Sequence, residues 1–489
     1  MLFNSYIFVL LFLPLVLVGY FLLNHYGKYA WANLFLIIMS LWFYGYYNPK
    51  YLFVICGSIL FDYGIAYAMN HIPAECDGKK RAVLVFGILV NSASIFYFKY
   101  FNFFIENVNG VFSTSFSMKN IVLPLGISFF TFQQISYLVD SYRGQTKDYG
   151  FLEYMLFVVY FPQLVAGPIV LHSEMIPQFR NEKRRKVNYH NISHGFYIFV
   201  IGLFKKVLIA DTLSKAVTLG YGTVDDLSCL EALIVSVSYT LQLYFDFSGY
   251  CDIASGIACM MNISLPQNFN SPYRSTSIVD FWNRWHMSLT RFLREYVYFP
   301  LGGSREGKTK TYRNIMIVFL VSGIWHGANW TFGVWGLIHG VLNCMNRIGK
   351  KVWEKIPQII RWIVNFLTVN ALWVIFRAES MGQAIKFFKR MVCFNSHGIR
   401  EELADCFELK EFTFFLPDQL FGVSTNYWMM IFMLTIVLIL SVKAKNSSEI
   451  VLKETVGRGV ITVILFVWTV FSLSGLSEFL YFGFIESKI

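Results

Sequence analysis

A histidine in an apolar segment is the first residue of this chain whose type and setting could support chemistry. His326 lies within VSGIWHGANW (321–330), a stretch without a charged side chain. Ionisable residues inside such segments are costly, and they usually face a cavity, a partner or a proton pathway. Imidazole, with an unperturbed pKa of about 6.5, is a suitable general base near neutral pH. His326 is therefore a candidate catalytic base, and a hydrogen-bonded structural histidine is the alternative.

The residues around His326 predict a closely packed helix. Gly323 and Gly327 would let another backbone approach, and Asn329 falls on the same side of a continuous helix. His339 is about 220° further round that helix, so we expect it to face elsewhere. No Gly-x-Ser-x-Gly motif occurs in the sequence. Direct transfer to a hydroxyl, with a histidine accepting the proton, is therefore favoured over a serine-hydrolase mechanism.

A second histidine, His286, lies in a segment with helical periodicity between Asp280, a suitable N-cap, and Pro300. One face of the predicted helix is apolar: Trp282, Trp285, Leu289, Phe292, Leu293 and Tyr296. The opposite face is polar: Arg284, Ser288, Arg291, Arg294 and Glu295. This pattern is typical of a helix that lies in the membrane interface. His286 falls at the margin of the apolar face, so we expect its ring to point to the interior.

Two carboxylates lie inside an otherwise apolar run, LQLYFDFSGYCDIASGIA (241–258). Asp246 and Asp252, with Ser248 between them, could belong to a proton or ion path. We favour a structural interpretation, in which these carboxylates accept hydrogen bonds from buried tyrosine or tryptophan donors.

The elements that must position these residues are membrane-spanning helices. Hydrophobic residues make up 56% of the 489 residues and charged residues only 15%, against about 25% charged residues in soluble proteins. Each span needs about 20 apolar residues. Candidate segments lie near 5–23, 31–47, 51–69, 82–98, 121–140, 152–170, 194–219, 230–260, 314–345, 358–376, 426–443 and 459–483. Since the longest can hold two spans, we expect an all-α polytopic protein with about eleven to thirteen transmembrane helices.

One of these segments contains its own interruption. YFPQLVAGPIV (160–170) carries Pro162, Gly167 and Pro168, which break a helix. Non-helical backbone at membrane depth is tolerated where protein buries it. We therefore expect a discontinuous or re-entrant helix at this point.

The net charge of +11 is concentrated in short connections between the apolar segments. Basic clusters occupy 78–82, 180–186, 291–313 and 347–355. This distribution is typical of cytoplasmic loops facing anionic lipid, so we expect a multi-pass protein of the cell membrane and no nucleic-acid partner. A funnel for an anionic substrate is the alternative for any one cluster. The eight cysteines show neither zinc-ligand spacing nor a disulfide pattern, and we expect no metal site.

Six stretches, in one order, resemble the membrane-bound O-acyltransferase (MBOAT) family, and in particular its bacterial alginate O-acetyltransferase (AlgI-like) branch. They are LPLGISFFTFQQISYLVDSYRG (123–144), YFPQLVAGPI (160–169), LQLYFDFSGYCDIA (241–254), DFWNRWHMSLTRFLREYVYFPLGGSR (280–305), VSGIWHGANWTFGVWGLIHG (321–340) and WVIFRAES (373–380). The Trp-His-Gly and Arg-Trp-His-x-Ser-Leu blocks are the most specific. The chain has Asn283 and Glu295 where related sequences often have Arg and Asp, which affects only local surface charge.

The resemblance implies a single integral-membrane domain over 1–489, with the MBOAT fold. Transmembrane, re-entrant and interfacial helices would surround a funnel or tunnel that crosses the membrane. The motif-rich catalytic part covers about 95–380. A polar surface excursion follows at 391–425, with a short helix expected around 400–410, and further spans lie within 426–483.

The resemblance also implies an O-acyltransferase whose membrane-embedded catalytic histidine is His326 and whose second histidine is His286. His326 would deprotonate the acceptor hydroxyl, and His286 would position or polarise the donor carbonyl. Contacts to substrate or donor are expected from the polar and aromatic residues nearby, which are Trp325, Asn329, Arg284, Arg291 and Asp246.

The acyl group implied by this branch is acetyl, carried by a donor on the cytoplasmic side, either acetyl-CoA or an acyl carrier. This donor is a co-substrate, so no bound cofactor is expected. The acceptor would be a hydroxyl of an exported polysaccharide or cell-wall glycan. Membrane lipid and an extracytoplasmic SGNH-hydrolase-like protein are the expected partners.

Two other functions remain open at this point. Transfer of D-alanine to teichoic acid is a neighbouring activity, although the spans after residue 380 make the chain long for that group. A polysaccharide or proton-coupled transporter could use Asp246 and Asp252. The lack of internal repeats argues against a transporter.

Overall fold

The computed structural model describes residues 1–393, 397–409, 411, 417–449, 455–473 and 479–480. The α-helices in chain order are α1 (Leu13–His25), α2 (Tyr29–Gly45), α3 (Lys50–His71), α4 (Asp77–Ile95), α5 (Phe101–Phe112), α6 (Ile127–Tyr142), α7 (Phe151–Val159), α8 (Phe161–Leu164), α9 (His172–Arg180), α10 (Tyr189–Phe204), α11 (Asp211–Gly222), α12 (Cys229–Met260), α13 (Ile278–Arg284), α14 (Met287–Leu293), α15 (Lys308–His326), α16 (Trp330–Ile348), α17 (Lys350–Trp353), α18 (Gln358–Arg377), α19 (Met381–Val392), α20 (Glu401–Asp405), α21 (Thr425–Lys443) and α22 (Val456–Phe471). Within the described residues, strands occur only as the antiparallel pair β1 (Gln419–Leu420) and β2 (Val423–Ser424). The predicted all-α class is confirmed.

Short helical turns of other kinds connect or interrupt these helices. Turns of π-helix lie at Phe8–Phe12, Phe96–Tyr100, Lys205–Ala210 and Arg294–Tyr298. Turns of 3₁₀-helix lie at Ala74–Cys76, Glu182–Arg185, Val224–Asp226, Pro272–Arg274 and Ser447–Glu449. Single π-helical turns inside α-helices are often found at functional sites, because the extra residue redirects the side chains around it.

Several helices are long and apolar enough to cross a membrane. In the described part of the chain these number five: Phe8–His25, Lys50–His71, Asp77–Phe112, Gln358–Arg377 and Thr425–Lys443. Shorter apolar helices are Tyr29–Gly45 and Val456–Phe471. The multi-pass membrane class is therefore confirmed. The estimate of eleven to thirteen spans stays a prediction, because the other helices of the bundle are shorter, interrupted or more polar.

Helix α12 lies at the centre of the bundle and packs on α10 through glycines. A Cβ atom on Gly202 would lie 2.7 Å from the carbonyl oxygen of Gly249. One on Gly256 would lie 2.6 Å from the carbonyl oxygen of Gly195. Small residues at such crossings let two helix backbones touch. This contact fixes the position of the α12 side chains that reach the candidate site.

The break predicted within 152–170 is confirmed. Helix α7 ends before Tyr160, and the one-turn helix α8 follows with Pro162 in its first turn. Gly167 packs so closely that a Cβ atom there would lie 2.4 Å from the Cα atom of Gln163. The non-helical stretch after α8 is buried in the protein, where other side chains and backbone can satisfy its polar groups.

The long segment 314–345 folds into two antiparallel helices, α15 and α16, as its length allowed. A Cβ atom on Gly323 would lie 2.4 Å from the carbonyl oxygen of Phe332 and 3.1 Å from the Cα atom of Gly336, which confirms the predicted close approach. A Cβ atom on Gly327 would instead meet the ring of Phe332, 2.1 Å away. Asn329 is not on the helical side of His326, because it is the N-cap of α16 and accepts from the Thr331 N–H.

The prediction of one continuous helix over 280–300 is wrong. Helix α13 begins after Ser277, whose hydroxyl caps the Asp280 N–H, so Asp280 lies in the first turn rather than at the cap. Trp285 is extended and His286 adopts a left-handed conformation with φ 44°. Helix α14 starts only at Met287.

The break has a physical cause outside the helix itself. The Asn270 N–H donates to the Arg284 carbonyl at 2.9 Å, and the Met287 N–H donates to the Asn268 carbonyl at 2.9 Å. These bonds from a neighbouring segment satisfy backbone groups that the helix leaves unpaired, as buried backbone requires. Helical periodicity carries no information about such tertiary partners.

The two predicted faces of this segment differ in how deeply they are buried. The side chains of Trp282, Trp285, Leu289, Phe292 and Leu293 are all buried in the protein core. On the polar face Ser288 is also buried, whereas Arg294 is exposed. The aromatic side therefore packs against protein.

The chain after residue 391 contains three further α-helices among the described residues, α19 excluded. Helix α20 confirms the short helix expected around 400–410, and α21 and α22 lie in the predicted further spans 426–483. Parts of the excursion 391–425 and of those spans lie outside the described residues. The single domain over 1–489 stays a prediction.

Candidate active site

His286 and His326 line the same small internal cavity, which has a volume of about 30 Å³. The helix break after α13 supplies His286, and the C-terminal residue of α15 is His326. The rest of the wall is aliphatic and aromatic, except for the carboxylate of Asp246 on α12. The structure thus brings together both histidines predicted from sequence, in an enclosed and mostly apolar space.

The hydrogen bond of His326 defines its neutral tautomer. Its Nδ1 lies 2.6 Å from the carbonyl oxygen of Ser322, one turn earlier in α15. A carbonyl oxygen only accepts, so Nδ1 carries the hydrogen and Nε2 carries the lone pair. The rings of Trp325, Trp335 and Phe376 surround the imidazole, with centroids 4.9, 5.1 and 5.4 Å away. Nε2 is therefore the ring nitrogen of His326 that remains able to accept a proton.

His286 reaches the equivalent tautomer through an asparagine. Its Nδ1 lies 3.1 Å from Oδ1 of Asn268, which also accepts from the Ser288 N–H at 3.2 Å and the Ser288 hydroxyl at 2.8 Å. Because a backbone N–H can only donate, this atom is the amide oxygen, and Nδ1 of His286 must donate to it. Nε2 of His286 is buried and has no hydrogen-bond partner among the described residues.

Trp325 lies beside both imidazoles. Its ring centroid is 6.1 Å from that of His286 and 4.9 Å from that of His326. It stacks on Phe132 at 5.2 Å, and its Nε1–H points to the Ser128 carbonyl at 3.4 Å. Trp325 therefore packs against both rings, and its contact with substrate stays a prediction.

Asp246 has partners other than those expected. Its Oδ1 accepts from the Lys206 ammonium at 2.7 Å, and its Oδ2 accepts from the Leu480 N–H at 2.9 Å. Lys206 also pairs with Asp211 at 2.8 Å. The prediction of tyrosine or tryptophan donors is therefore wrong for Asp246. Its carboxylate oxygens are occupied by the ammonium of Lys206 and the backbone N–H of Leu480.

Asp252 follows the same pattern. Its carboxylate accepts from the Lys205 ammonium at 2.6 Å and from the Ser447 hydroxyl. Asp246 and Asp252, the two intramembrane carboxylates that a transporter could have used, thus both form ion pairs with lysines.

Three predicted contact residues lie away from the small cavity. Arg284 pairs with Asp280 at 2.8 Å. Arg291 binds Glu174, with Nη2 2.9 Å from Oε2. Asn329 donates to the Glu379 carbonyl at 2.8 Å. Arg284 also donates to the Asn270 carbonyl at 3.3 Å, so each of these side chains links neighbouring segments. Their contact with substrate or donor stays a prediction.

His339 lies beside the site, although a continuous helix through 321–340 predicted that it would face away from His326. The chain reverses after Gly327, so α16 runs back along α15 and Trp335 packs between the two histidines, 5.1 Å from His326 and 4.7 Å from His339. The Trp282 Nε1–H donates to Nδ1 of His339 at 3.1 Å. The signal that could have placed His339 was the Gly-Ala-Asn turn before α16.

A larger cavity, of about 1000 Å³, lies on the other side of α12. The exposed ammonium groups of Lys183 and Lys186 belong to its wall, whereas Ser248 and Asn268 lie at its buried end. The Ser248 hydroxyl is buried and has no hydrogen-bond partner among the described residues. Since Asn268 binds His286, this cavity ends one side chain from the imidazole.

Comparison with known proteins places these features in a family. The profile described as MBOAT, membrane-bound O-acyltransferase family, matches residues 6–381. A peptidoglycan O-acetyltransferase of Helicobacter pylori is 41% identical over 484 residues, covering 92% of this chain and 90% of that protein. A probable alginate O-acetylase AlgI of Pseudomonas aeruginosa is 37% identical over 408 residues, covering 82% and 76%. A teichoic acid D-alanyltransferase of Bacillus subtilis is 29% identical over 275 residues, covering 54% and 68%.

Proposed function

The chain belongs to the membrane-bound O-acyltransferase family, and we propose that it transfers an acetyl group from a cytoplasmic-side donor towards hydroxyls of an exported polysaccharide or cell-wall glycan. The chain is a multi-pass O-acyltransferase. What we propose is the acyl group that it transfers, the side of the membrane that supplies the donor, the roles of the site residues and the location of the protein in the cytoplasmic membrane. The observation that carries it is the pair of imidazoles, each with Nδ1 hydrogen-bonded, on one small, mostly apolar cavity.

In this proposal His326 is the general base. Its Nε2 takes the proton of the acceptor hydroxyl while the hydroxyl oxygen attacks the thioester carbonyl. The carbon–sulfur bond of the tetrahedral intermediate then breaks, and the imidazolium returns the proton to the leaving thiolate. A positioned general base typically contributes about 10²–10⁴-fold to the rate. The apolar wall excludes water, which would otherwise hydrolyse the thioester.

The role of His286 differs from the one expected at first. A neutral imidazole whose Nδ1–H is donated to Asn268 offers only a lone pair at Nε2. It therefore accepts a hydrogen bond and cannot polarise a carbonyl oxygen while it is neutral. We assign His286 to the orientation of a substrate N–H or O–H group beside His326.

The donor enters, in this proposal, through the larger cavity. Its size of about 1000 Å³ suits a thioester on a long phosphate-bearing carrier. Lys183 and Lys186 would bind phosphate groups at the exposed end, and the unpartnered Ser248 hydroxyl would bind the carrier arm. Arg284 and Arg291 pair with Asp280 and Glu174, and their contact with the donor stays a prediction.

The small cavity favours acetyl over D-alanyl as the transferred group. About 30 Å³ leaves room for a methyl group rather than a long chain. A D-alanyl group brings an ammonium that needs a carboxylate, and the carboxylate in this wall, Asp246, already pairs with Lys206. D-alanyl transfer remains the second candidate because of the similarity to a teichoic acid D-alanyltransferase. An SGNH-hydrolase-like partner remains part of the proposal for the final transfer outside the membrane.

Purified protein in lipid nanodiscs, with acetyl-CoA and a soluble glycan acceptor, tests the proposal. Release of free thiol and transfer of labelled acetyl are measured in parallel, with and without membranes that contain candidate partners. We expect His326→Ala to lower kcat at least 100-fold and His286→Ala at least 10-fold. The matched control is His25→Ala, an exposed histidine, which should leave kcat within twofold. Activity of His326→Ala close to that of the unmodified protein would remove the role assigned to His326.

A further inference from the structure

Lys99 is a buried cation in an apolar helical segment. Its side chain lies in the π-helical turn Phe96–Tyr100, inside the membrane-spanning segment Asp77–Phe112, and the residue is only 7% exposed. In the part of the chain that the structure describes, Lys99 has no carboxylate within 4.0 Å. A charge in such a place is costly, and cations inside spans usually serve a partner or a pathway.

The ammonium of Lys99 points to the end of the helix that carries the proposed base. Its Nζ lies 2.5 Å from the Trp325 carbonyl oxygen and 3.4 Å from the Ser128 hydroxyl. The next residue, Tyr100, donates its hydroxyl to the Ile324 carbonyl at 2.5 Å. Two consecutive donors in one π-helical turn thus bind two consecutive carbonyls of α15.

These carbonyls need donors from outside their own helix. The last four carbonyls of an α-helix have no N–H partner within it, and they form the negative end of the helix dipole. Helix α15 ends at His326, and Gly327 is fully extended, with φ −172°. A cation at this position therefore satisfies a buried acceptor and opposes the dipole, as C-terminal lysines do in other helices.

The Trp325 carbonyl belongs to the peptide group that joins Trp325 to His326. The orientation of this peptide determines where the His326 side chain leaves the backbone, and so whether its Nδ1 reaches the Ser322 carbonyl. Lys99 also lies over the Trp325 ring, 5.7 Å from its centroid, and that ring packs against both imidazoles. One side chain thus restrains both the peptide and the ring beside the base.

We infer that Lys99 is a positioning residue: its ammonium fixes the end of α15 so that His326 keeps Nδ1 on Ser322 and Nε2 toward the cavity. This inference rests on the proposed function of His326 as the base. Lys99 does not touch the acyl group, the donor or the acceptor.

Three variants test the inference in the intact protein in nanodiscs. Lys99→Met keeps most of the volume and removes the ammonium, whereas Lys99→Arg keeps a cationic donor. Asn91→Ala is the matched control, because Asn91 is a buried polar residue of α4 whose amide donates to Asp62 at 2.7 Å and to the Gly87 carbonyl at 3.0 Å. We expect Lys99→Met to lower kcat 10- to 100-fold with the donor KM within twofold. Lys99→Arg should recover at least fivefold of that loss, and Asn91→Ala should stay within threefold of the unmodified protein.

A second measurement does not depend on turnover. The rate at which diethyl pyrocarbonate modifies His326, followed by peptide mass spectrometry, should change at least threefold in Lys99→Met and not in Asn91→Ala. An unchanged rate and a kcat within twofold in Lys99→Met, or an equal kcat loss in Asn91→Ala, would overturn the inference. If His326→Ala is active, the proposed function fails instead, and the modification rate still reports whether Lys99 positions the imidazole.

Discussion

His286 and His326 present the same ring nitrogen to one cavity, and each does so with a different partner. His326 uses the carbonyl of its own helix, whereas His286 uses the amide oxygen of Asn268. The difference follows from their backbones, since His326 ends a regular helix and His286 stands at a break with φ 44°. Hydrogen bonds at Nδ1 thus decide which proton transfers each imidazole can make at Nε2.

In the proposed function, the space for the acyl group is also set at the residue scale. Phe376 lines the small cavity, 5.4 Å from His326 and 4.9 Å from Phe332 by ring centroids. Phe376→Ala should raise the kcat/KM ratio of propionyl to acetyl donor at least fivefold, because the removed ring leaves space for one more carbon. The ratio is measured by thiol release from the two thioesters.

The control for that prediction is Phe387→Ala, since Phe387 is equally buried but stacks on Tyr221, outside the cavity. Both changes should lower the midpoint of thermal unfolding, because burying a phenylalanine stabilises a core by about 3–5 kcal/mol. The interpretation is wrong if the donor ratio changes equally in both variants.

At the scale of elements, the α15–α16 hairpin is what delivers His326 to the cavity. Gly323→Ala should lower both kcat and the thermal unfolding midpoint, since the added Cβ would lie 2.4 Å from the Phe332 carbonyl oxygen. We expect the midpoint to fall by about 1–2 °C, the effect of about 1–2 kcal/mol in a chain of this length, and kcat to fall about tenfold.

Gly333→Ala, in the same helix pair, is the matched control. A Cβ atom there has no neighbour within 4 Å among the described residues, so the change should be neutral or slightly stabilising. Equal effects of the two substitutions would contradict a role for close backbone contact at Gly323.

The elements also separate what the sequence could predict from what it could not. The break after Val159 and the two helices within 314–345 followed from Pro162 and from segment length. The break at His286 did not, because it depends on Asn268 and Asn270, which bind it from a neighbouring segment outside the helix. The position of His339 was missed for a related reason: a helical wheel assumes a straight helix, and the chain turns at Gly327.

At the scale of the whole molecule, the distribution of polar groups is inverted relative to a soluble protein. The five apolar membrane-spanning candidates have only 17–44% of their residues buried, so most of their apolar side chains face outward. Buried polar residues are concentrated in the central helices, including Gln133 and Gln134 of α6 and Asp246 of α12. Composition was sufficient to predict this class. The pairing of buried lysines with buried carboxylates required the structure, because the partners lie on different helices.

The ion pair of Lys206 and Asp246 tests how the whole bundle is held together. Lys206→Met should lower the unfolding free energy by about 3–5 kcal/mol, because it leaves a buried carboxylate without its cation. Adding Asp246→Asn should recover at least half of that loss. Thermal and denaturant unfolding of the single and double variants in one detergent give the coupling free energy between Lys206 and Asp246.

The control is Lys386→Met, which breaks the exposed pair with Asp225. Exposed pairs are worth at most about 1 kcal/mol, so the unfolding midpoint should barely move. If the losses of unfolding free energy caused by Lys206→Met and Asp246→Asn simply add in the double variant, the two charges do not stabilise each other and this interpretation is wrong.

The wall of the small cavity is built from two parts of the chain, one inside and one outside the region that the family profile matches. Both histidines lie inside the region that matches the family profile, residues 6–381, whereas Leu480 closes the same cavity from outside that region. The backbone of Leu480 is attached to Asp246, so this late segment is anchored to the shared framework. The shape of this cavity therefore depends on a residue outside the stretch by which the family is recognised.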